Sequence, residues 1–322
     1  MKKILIFKSD KIGDLINISP VIKNLRINYP NSKIYLFCSK YNSSVALYYS
    51  DIDKLFIYEN NFIFFLIKFF KMIIFAKFDL ILQLDGKKKS YLYSILFRTK
   101  SRAGIRFIKS KKILNFYFKL YRPNFLYNFF YKILVDCIED YQVSNNNSYH
   151  YLSIYLNILK ELGMKIIDTN HFLPFTPNKN NFFNKYIQIH IDERWEKFDS
   201  FFLDSFIMKL NDIKKNKKIV ITSNYYGNHF FTKLKNIFDK NDQITFVSNS
   251  SIEEILNIIY YAETVISSHS GFLVHSAAAF KKHVIDIVSK EIDNELDRWV
   301  PLNSKYKRIY FENINSLKIS YD

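Results

Sequence analysis

Met1-Lys2-Lys3-Ile4-Leu5-Ile6-Phe7-Lys8-Ser9-Asp10-Lys11-Ile12-Gly13-Asp14 opens the chain, and its reading decides the fold. The apolar run Ile4–Phe7 has the composition of a parallel strand buried on both faces. It empties into the polar turn Lys8-Ser9-Asp10-Lys11, and Ile12-Gly13-Asp14 then leads towards a helix. Ser19-Pro20 predicts an N-cap followed by proline at the first helical position, with Val21, Ile22 and Leu25 continuing the apolar face. A carboxylate beside a glycine, at the carboxyl end of a first strand, stands where open α/β sheets bind ligands. A general base belongs at that position.

Outward from this unit, strand candidates alternate with helical stretches. They are Lys33–Cys38, Leu55–Tyr58 and Asp79–Leu84, then Tyr186–Ile191, Lys218–Thr222, Ile244–Val247, Thr264–Ser267 and His283–Val288. Such alternation predicts parallel sheets with crossover helices. The proline- and asparagine-rich stretch Leu173–Asn181 reads as a linker, giving domains at 1–177 and 178–322, and Asn145-Asn146-Asn147-Ser148 reads as a further loop. Only six glycines occur in 322 residues, at 13, 86, 104, 163, 227 and 271. In a chain so poor in glycine, the survivors are expected where a side chain does not fit.

Composition narrows the class of partner. Hydrophobic residues at 48% supply ample core, which excludes wholesale disorder. The two cysteines, Cys38 and Cys137, are too few and too distant for a disulfide framework or a cysteine metal site, and fit a reducing cytoplasm. Met1-Lys2-Lys3 running straight into a strand makes a poor signal peptide. The net charge of +17 calls for an anionic partner: nucleic acid, anionic lipid or a phosphorylated substrate. With no zinc-finger, RNP or basic-zipper pattern, nucleic acid is set aside. The greasiest segment, Asn61–Leu82, is interrupted by Lys68, Lys71 and Lys77, too often for a membrane span of about 20 apolar residues. It reads either as a helix packed on a sheet or as one seated in a membrane interface with its lysines towards anionic headgroups.

A second loop of interest is Ser267-Ser268-His269-Ser270-Gly271-Phe272-Leu273-Val274-His275, followed by Ser276 and an alanine run. A strand end, a hydroxyl- and glycine-bearing turn and a helix start together form an anion site from exposed N–H groups and the helix dipole. Ser270 is placed to cap the helix or touch a phosphate oxygen, Gly271 to admit close approach, and His275 to donate to phosphate. An ordinary N-cap with a structural histidine has the same spacing.

The pairing of Lys3–Pro20 with Ser268–Ala279 resembles glycosyltransferase family 9, the ADP-heptose:lipopolysaccharide heptosyltransferases. Phe78–Gly86 is similar to that family's fourth strand, and Ser101–Arg106 to its following basic-glycine segment. The resemblance implies a GT-B fold: an α/β chain of two Rossmann-like domains with parallel sheets facing across a cleft, acceptor on the N-terminal domain and donor on the C-terminal one. It implies inverting, metal-independent transfer of a sugar, heptose favoured, from a nucleotide-diphosphate donor to a lipopolysaccharide core acceptor, with no cofactor. ADP-heptose is the favoured co-substrate. By position, Asp14 is the general base. Ser270, Gly271, Phe272, His275, His269 and Arg194 are donor-side residues, Arg194 standing near the family's lysine before a tryptophan. Gly13, Lys11, Lys87, Lys89 and Arg102 are acceptor-side residues, and the partners are a nucleotide sugar, an anionic glycolipid and the inner membrane's cytoplasmic face. The chain departs from the family pattern at His269, where an acidic residue is usual, by one extra residue between Gly271 and His275, and by lacking the expected glutamate in Thr222–Gly227. The alternatives are a related enzyme of the same fold using another nucleotide sugar or surface-glycan acceptor, and a catalytically silent sugar-nucleotide-binding protein, the latter raised by His269. A nicotinamide enzyme is disfavoured because the first βα turn lacks Gly-x-Gly-x-x-Gly.

Overall fold

The computed structural model describes residues 1–57, 61–113, 116–122, 125–138, 150–179, 182, 185–224, 227–290 and 296–316. The chain divides into two compact units, Met1–Asn170 with Asp297–Trp299, and His171–Leu296 with Val300–Asp322. The stretch read as a linker therefore lies on the second unit's side of the division. Asn145–Ser148 falls outside the described residues.

The first unit runs β1 (Lys3–Phe7), α1 (Ile12–Asn17), α2 (Ser19–Asn28), β2 (Lys33–Cys38), α3 (Lys40–Ala46), β3 (Lys54–Ile57), α4 (Phe62–Phe75), β4 (Lys77–Gln83), α5 (Lys88–Leu96), β5 (Arg98–Ile113), β6 (Phe116–Arg122), β7 (Ile133–Ile138) and α6 (Tyr151–Glu161). Its sheet has the order β3-β2-β1-β4-β5-β6, with β7 also pairing β5. Every pairing is parallel except β5 with β6. Ile4 lies between Ile34 and Leu80 in register, and Ile4 to Phe7 are fully buried, as an apolar run with a neighbour on each side requires. One face of the sheet is sealed by aromatic rings: Phe7 stacks on Phe37 at 4.8 Å, and Phe65, Phe69, Phe78, Tyr93 and Phe97 complete the cluster.

The start of the first crossover differs from expectation. Two helices follow β1, and Ser19 is the first residue of α2 with Ile18 at its N-cap position. The helix begins earlier because Asp14 accepts the backbone N–H of Lys11 at 3.2 Å and so closes the first turn of α1. The Ser19 hydroxyl instead hydrogen-bonds Tyr49.

Strands β5 and β6 escape a reading by apolar runs because cations interrupt them, whereas β7 holds an apolar run, Ile133-Leu134-Val135, that the expected strands did not include. Its first half pairs β4; beyond Gly104 it outruns β4 and pairs β6 antiparallel, from Phe107 opposite Arg122 onwards. Gly104 is obligatory for close approach, since a Cβ there would lie 2.9 Å from both the Cβ and the carbonyl oxygen of Gln83. The unit also takes in Asp297–Trp299: Tyr151 N–H donates to the Arg298 carbonyl at 3.1 Å and its ring stacks on Trp299 at 3.9 Å.

The second unit runs β8 (Tyr186–His190), α7 (Ser200–Ile213), β9 (Lys218–Ser223), α8 (His229–Phe238), β10 (Ile244–Ser248), α9 (Ile252–Tyr261), β11 (Thr264–Ser267), α10 (Gly271–Ala279), β12 (His283–Val288) and β13 (Tyr306–Tyr310). The sheet order is β10-β9-β8-β11-β12-β13, parallel throughout, the Rossmann order. Core lies on both sheet faces, one around Trp195 and Phe206, the other around Ile258, Val274 and Val284. In each unit the strand order reverses direction at one place, between β1 and β4 and between β8 and β11. Ligands of such sheets bind outside the carboxyl ends of those strands.

Candidate functional site

In the first unit the reversal point gathers opposite charges. Lys8, the residue after β1, is 1% exposed; its ammonium donates to Asp10 at 2.8 Å, to the Leu84 carbonyl at 3.0 Å and to the Tyr155 hydroxyl at 3.0 Å. Burial pulls the Lys8 pKa down, but Asp10, Tyr155 and Asp14 outweigh it and hold the ammonium well above the ordinary lysine value. Asp14, third residue of α1, is half-buried. Burial lifts its carboxyl above the ordinary aspartate value; Lys8 pulls it back and Asp10 pushes it up again. The result is an aspartate with raised proton affinity at the mouth of the sheet.

Asp85, just beyond β4, is the floor of this site. It is fully buried and accepts from Ser9 N–H at 3.0 Å, Ser9 Oγ at 2.8 Å, Ser90 Oγ at 2.9 Å, Gln83 Nε2 at 2.9 Å and Lys87 N–H at 3.0 Å. These bonds lock the loops after β1 and β4 together. Lys87 also reaches the Ser9 carbonyl with its ammonium, while Lys11 and Lys89 are exposed at the rim and Gly13 is buried in α1.

Arg102 is a correction. Instead of facing an acceptor it is buried in the fold, donating to the carbonyls of Ser94, Phe97 and Phe130. It satisfies the end of α5, a structural task set by its inward position on β5. The neighbouring cations are engaged too: Arg106 with Asp136 and Lys100 with Asp79.

The second unit's reversal point is built differently. His269 adopts φ +51° in the turn after β11. Its N–H donates to Asp286 Oδ1 at 3.2 Å, and its Nδ1 lies 2.6 Å from Asp286 Oδ2. Ser267 Oγ and Tyr306 OH each add a bond of 2.9 Å to the same carboxylate. Asp286 stands on β12 opposite Ser267 in register and is fully buried. An acidic group thus lies beside the turn after all, supplied by the next strand. A carboxylate oxygen accepts, so the bond between them runs from His269 Nδ1–H to Asp286.

Ser270 occupies the N-cap of α10, half-buried, and its side chain makes no capping bond. Gly271 and Phe272 open the helix, and Phe272 packs part of its ring on the core. His275 sits one turn inside and is 2% exposed, its ring stacked on His171 at 5.1 Å, so burial removes it from the exposed start of the helix where phosphate contact was expected. Arg194 pairs with Asp192 rather than projecting freely. Beside it, His190 hydrogen-bonds Thr222 Oγ1 at 2.9 Å, and burial with the Arg194 charge depresses its pKa to about 4. Two concavities, about 430 and 530 Å³, open by the ends of β9 and β10, lined among others by Ser223, Asn228 and Lys235, and by Phe182, Ser251 and Asn257.

Lys8, Asp85, Tyr155, Asp286 and Tyr306 were missed as site residues. Asp286 carried a signal, a lone carboxylate inside the apolar run His283–Val288. The tyrosines carried none among 24. Among the described residues, no group of three or more His, Cys, Asp or Glu gathers to hold a metal ion.

No family model and no curated protein matches the chain by sequence. Solved structures do match by fold. E. coli heptosyltransferase WaaC with ADP superposes with a TM-score of 0.71 at 15% identity, covering 98% of this chain and 96% of that one. A glycosyltransferase family 9 protein from Veillonella parvula gives 0.69 at 14% identity over 97% and 86%. E. coli ADP-heptose lps heptosyltransferase II gives 0.67 at 13% identity over 98% and 95%. Likeness at this level of identity establishes architecture: the chain has the GT-B fold of these glycosyltransferases, over nearly its whole length.

Proposed function

We propose that the protein is an inverting glycosyltransferase that moves a sugar, heptose favoured, from a nucleotide-diphosphate donor to the core of an anionic lipopolysaccharide-type glycolipid. The observation that carries this is Asp14, a carboxylate with raised proton affinity at the reversal point of a Rossmann-like unit, in a fold shared with a heptosyltransferase solved with ADP. Asp14 takes the proton of the acceptor hydroxyl as that oxygen bonds the anomeric carbon. The bond to the diphosphate oxygen breaks on the opposite face, and the nucleotide diphosphate leaves with the electron pair. A positioned base contributes roughly 10²–10⁴-fold.

The leaving phosphate is met by the N–H groups opening α10, at Ser270, Gly271 and Phe272, and by the helix dipole. His269, fixed by Asp286, orients the donor at the same turn. Lys11, Lys87 and Lys89 face the acceptor's anionic groups. The protein works at the inner face of the inner membrane and needs no resident metal. The test is a screen of ADP-, UDP- and GDP-sugars with mass-spectrometric detection of transferred or hydrolysed sugar, run with and without EDTA. ADP-sugar turnover that survives EDTA and is lost in Asp14→Asn supports the assignment; turnover undiminished in Asp14→Asn overturns it.

A further inference from the structure

Helix α4 has an apolar face that no other described residue covers. Phe65 and Phe69 alone are buried against the sheet. Ile63, Ile67, Phe70 and Ile74 fall one turn apart along the outer face, joined by Phe64 and Phe75, and each is between 40% and 77% exposed. Six large apolar side chains on one 14-residue helix exceed what a soluble surface carries without a partner. Only one narrow stripe of α4 packs on the sheet, and the outward side is almost as greasy as the inward.

Charge identifies the occupant. Lys68 and Lys71 are exposed on the same helix, and no acidic residue occurs from Asn61 to Phe78. From Gly86 to Val135 the chain has thirteen Lys or Arg and no Asp or Glu. Some of these are paired internally, as shown for Lys87, Lys100, Arg102 and Arg106, while Lys88 and Lys89 are exposed at the start of α5. Helix α5 lies beside α4: Tyr93 stacks on Phe62 at 5.9 Å and on Phe65 at 3.8 Å. A second copy, also at +17, would meet this face with like charge. A bilayer leaflet of anionic lipids offers what the face requires, acyl chains for the isoleucines and phenylalanines and headgroups for the lysines.

We infer that α4 lies in the headgroup region of an anionic membrane leaflet, its outer stripe inserted and Lys68, Lys71 and the exposed start of α5 at Lys88 and Lys89 against the lipid headgroups. No helix among the described residues is long and apolar enough to cross a membrane, so attachment is by this face, in the plane of the surface. Placement in the crossover adds a functional sense. Helix α4 follows β3 and so begins at the carboxyl edge of the sheet, the edge that carries Asp14 and Lys87. A glycolipid in the same leaflet would present its sugars there; this last point rests on the proposed transferase function, whereas the docking does not.

The test is co-sedimentation of the full chain with vesicles of phosphatidylglycerol and phosphatidylcholine mixed, and of phosphatidylcholine alone, at low and high salt. Ile67→Glu/Phe70→Glu alters only exposed positions, and Lys68→Glu/Lys71→Glu reverses the charge. The expected result is binding to the mixed vesicles at least tenfold above phosphatidylcholine, weakened by salt, and reduced at least tenfold by either double variant with the thermal midpoint unchanged. Equal binding by the wild type and the Ile67/Phe70 variant overturns the inference, as does no binding by the wild type. A dimer in sedimentation velocity that the Ile67/Phe70 variant abolishes would assign the face to a second copy instead. Nucleotide-sugar hydrolysis without vesicles is measured alongside: its loss in the wild type with docking intact counts against the transferase, and its retention with docking absent counts against the membrane face.

Discussion

Each Rossmann-like unit places a carboxylate near the reversal point of its sheet, Asp14 in the helix after β1 and Asp286 on β12 beside the end of β11, and the two are surrounded differently. In the first, Asp10 and Asp14 share one buried cation, Lys8, and the like charge of Asp10 helps to raise the proton affinity of Asp14. In the second, Asp286 is saturated by donors from Ser267, His269 and Tyr306. A carboxylate short of donors can take a proton; one that is fully hydrogen-bonded holds a neighbour still. The fold provides the location, and the donors facing each carboxylate set how readily it takes a proton.

The most severe way to test this contrast is Asp14→Asn. Turnover is expected to fall by roughly 10²–10⁴-fold, while the thermal shift on adding nucleotide, which the proposed function assigns to the second unit, stays as in the wild type. Loss of both would mean the units do not divide the labour. The pH profile sharpens the same point. A base must be ionised, so kcat/KM is expected to fall on the acid side at a pH above the ordinary aspartate value of 3.8, the direction that burial and Asp10 impose. Lys8 pulls the other way, and Lys8→Met should move that limb to still higher pH.

The second unit has its own pH signature, in stability. His190 is held neutral with a pKa near 4, against 6.5 when unfolded. Above pH 6.5 it is neutral in both states and costs nothing. As pH falls from 6.5 towards 4 the unfolded chain gains a proton that the folded one refuses, and stability drops by about 3 kcal/mol. Denaturant titrations at stepped pH should show this loss, and His190→Gln should flatten it. A milder effect is expected of Asp286→Asn. Releasing His269 and Tyr306 should weaken nucleotide binding about tenfold by calorimetry, leaving any turnover defect confined to KM. A fall in kcat with unchanged KM would place Asp286 among the reacting groups.

Much of this architecture was legible in the order of residues. Lys33–Cys38, Thr264–Ser267 and His283–Val288 are strands within the bounds that their apolar runs predict. Strands β5, β6 and β13 were not, because a strand studded with Lys and Arg, or one with Ile309 as its only buried residue, has no run to read. At the site, the position of Asp14 was visible because chemistry and chain position coincide. Its surroundings were not: Tyr155 reaches Lys8 from 147 residues away, and Asp286 reaches His269 from a neighbouring strand. Arg102 misled for the same reason, since a cation near a strand end looks alike whether it faces solvent or closes a helix.

The return of Asp297–Trp299 to the first unit has a consequence for dissecting the protein. A break after Asn170 would leave Tyr151 without the Trp299 ring and without the Arg298 carbonyl that receives its N–H. The first unit would then be incomplete. Fragment complementation should succeed only when the partner piece extends through Trp299, and circular permutants should tolerate new termini elsewhere better than between those two contacts.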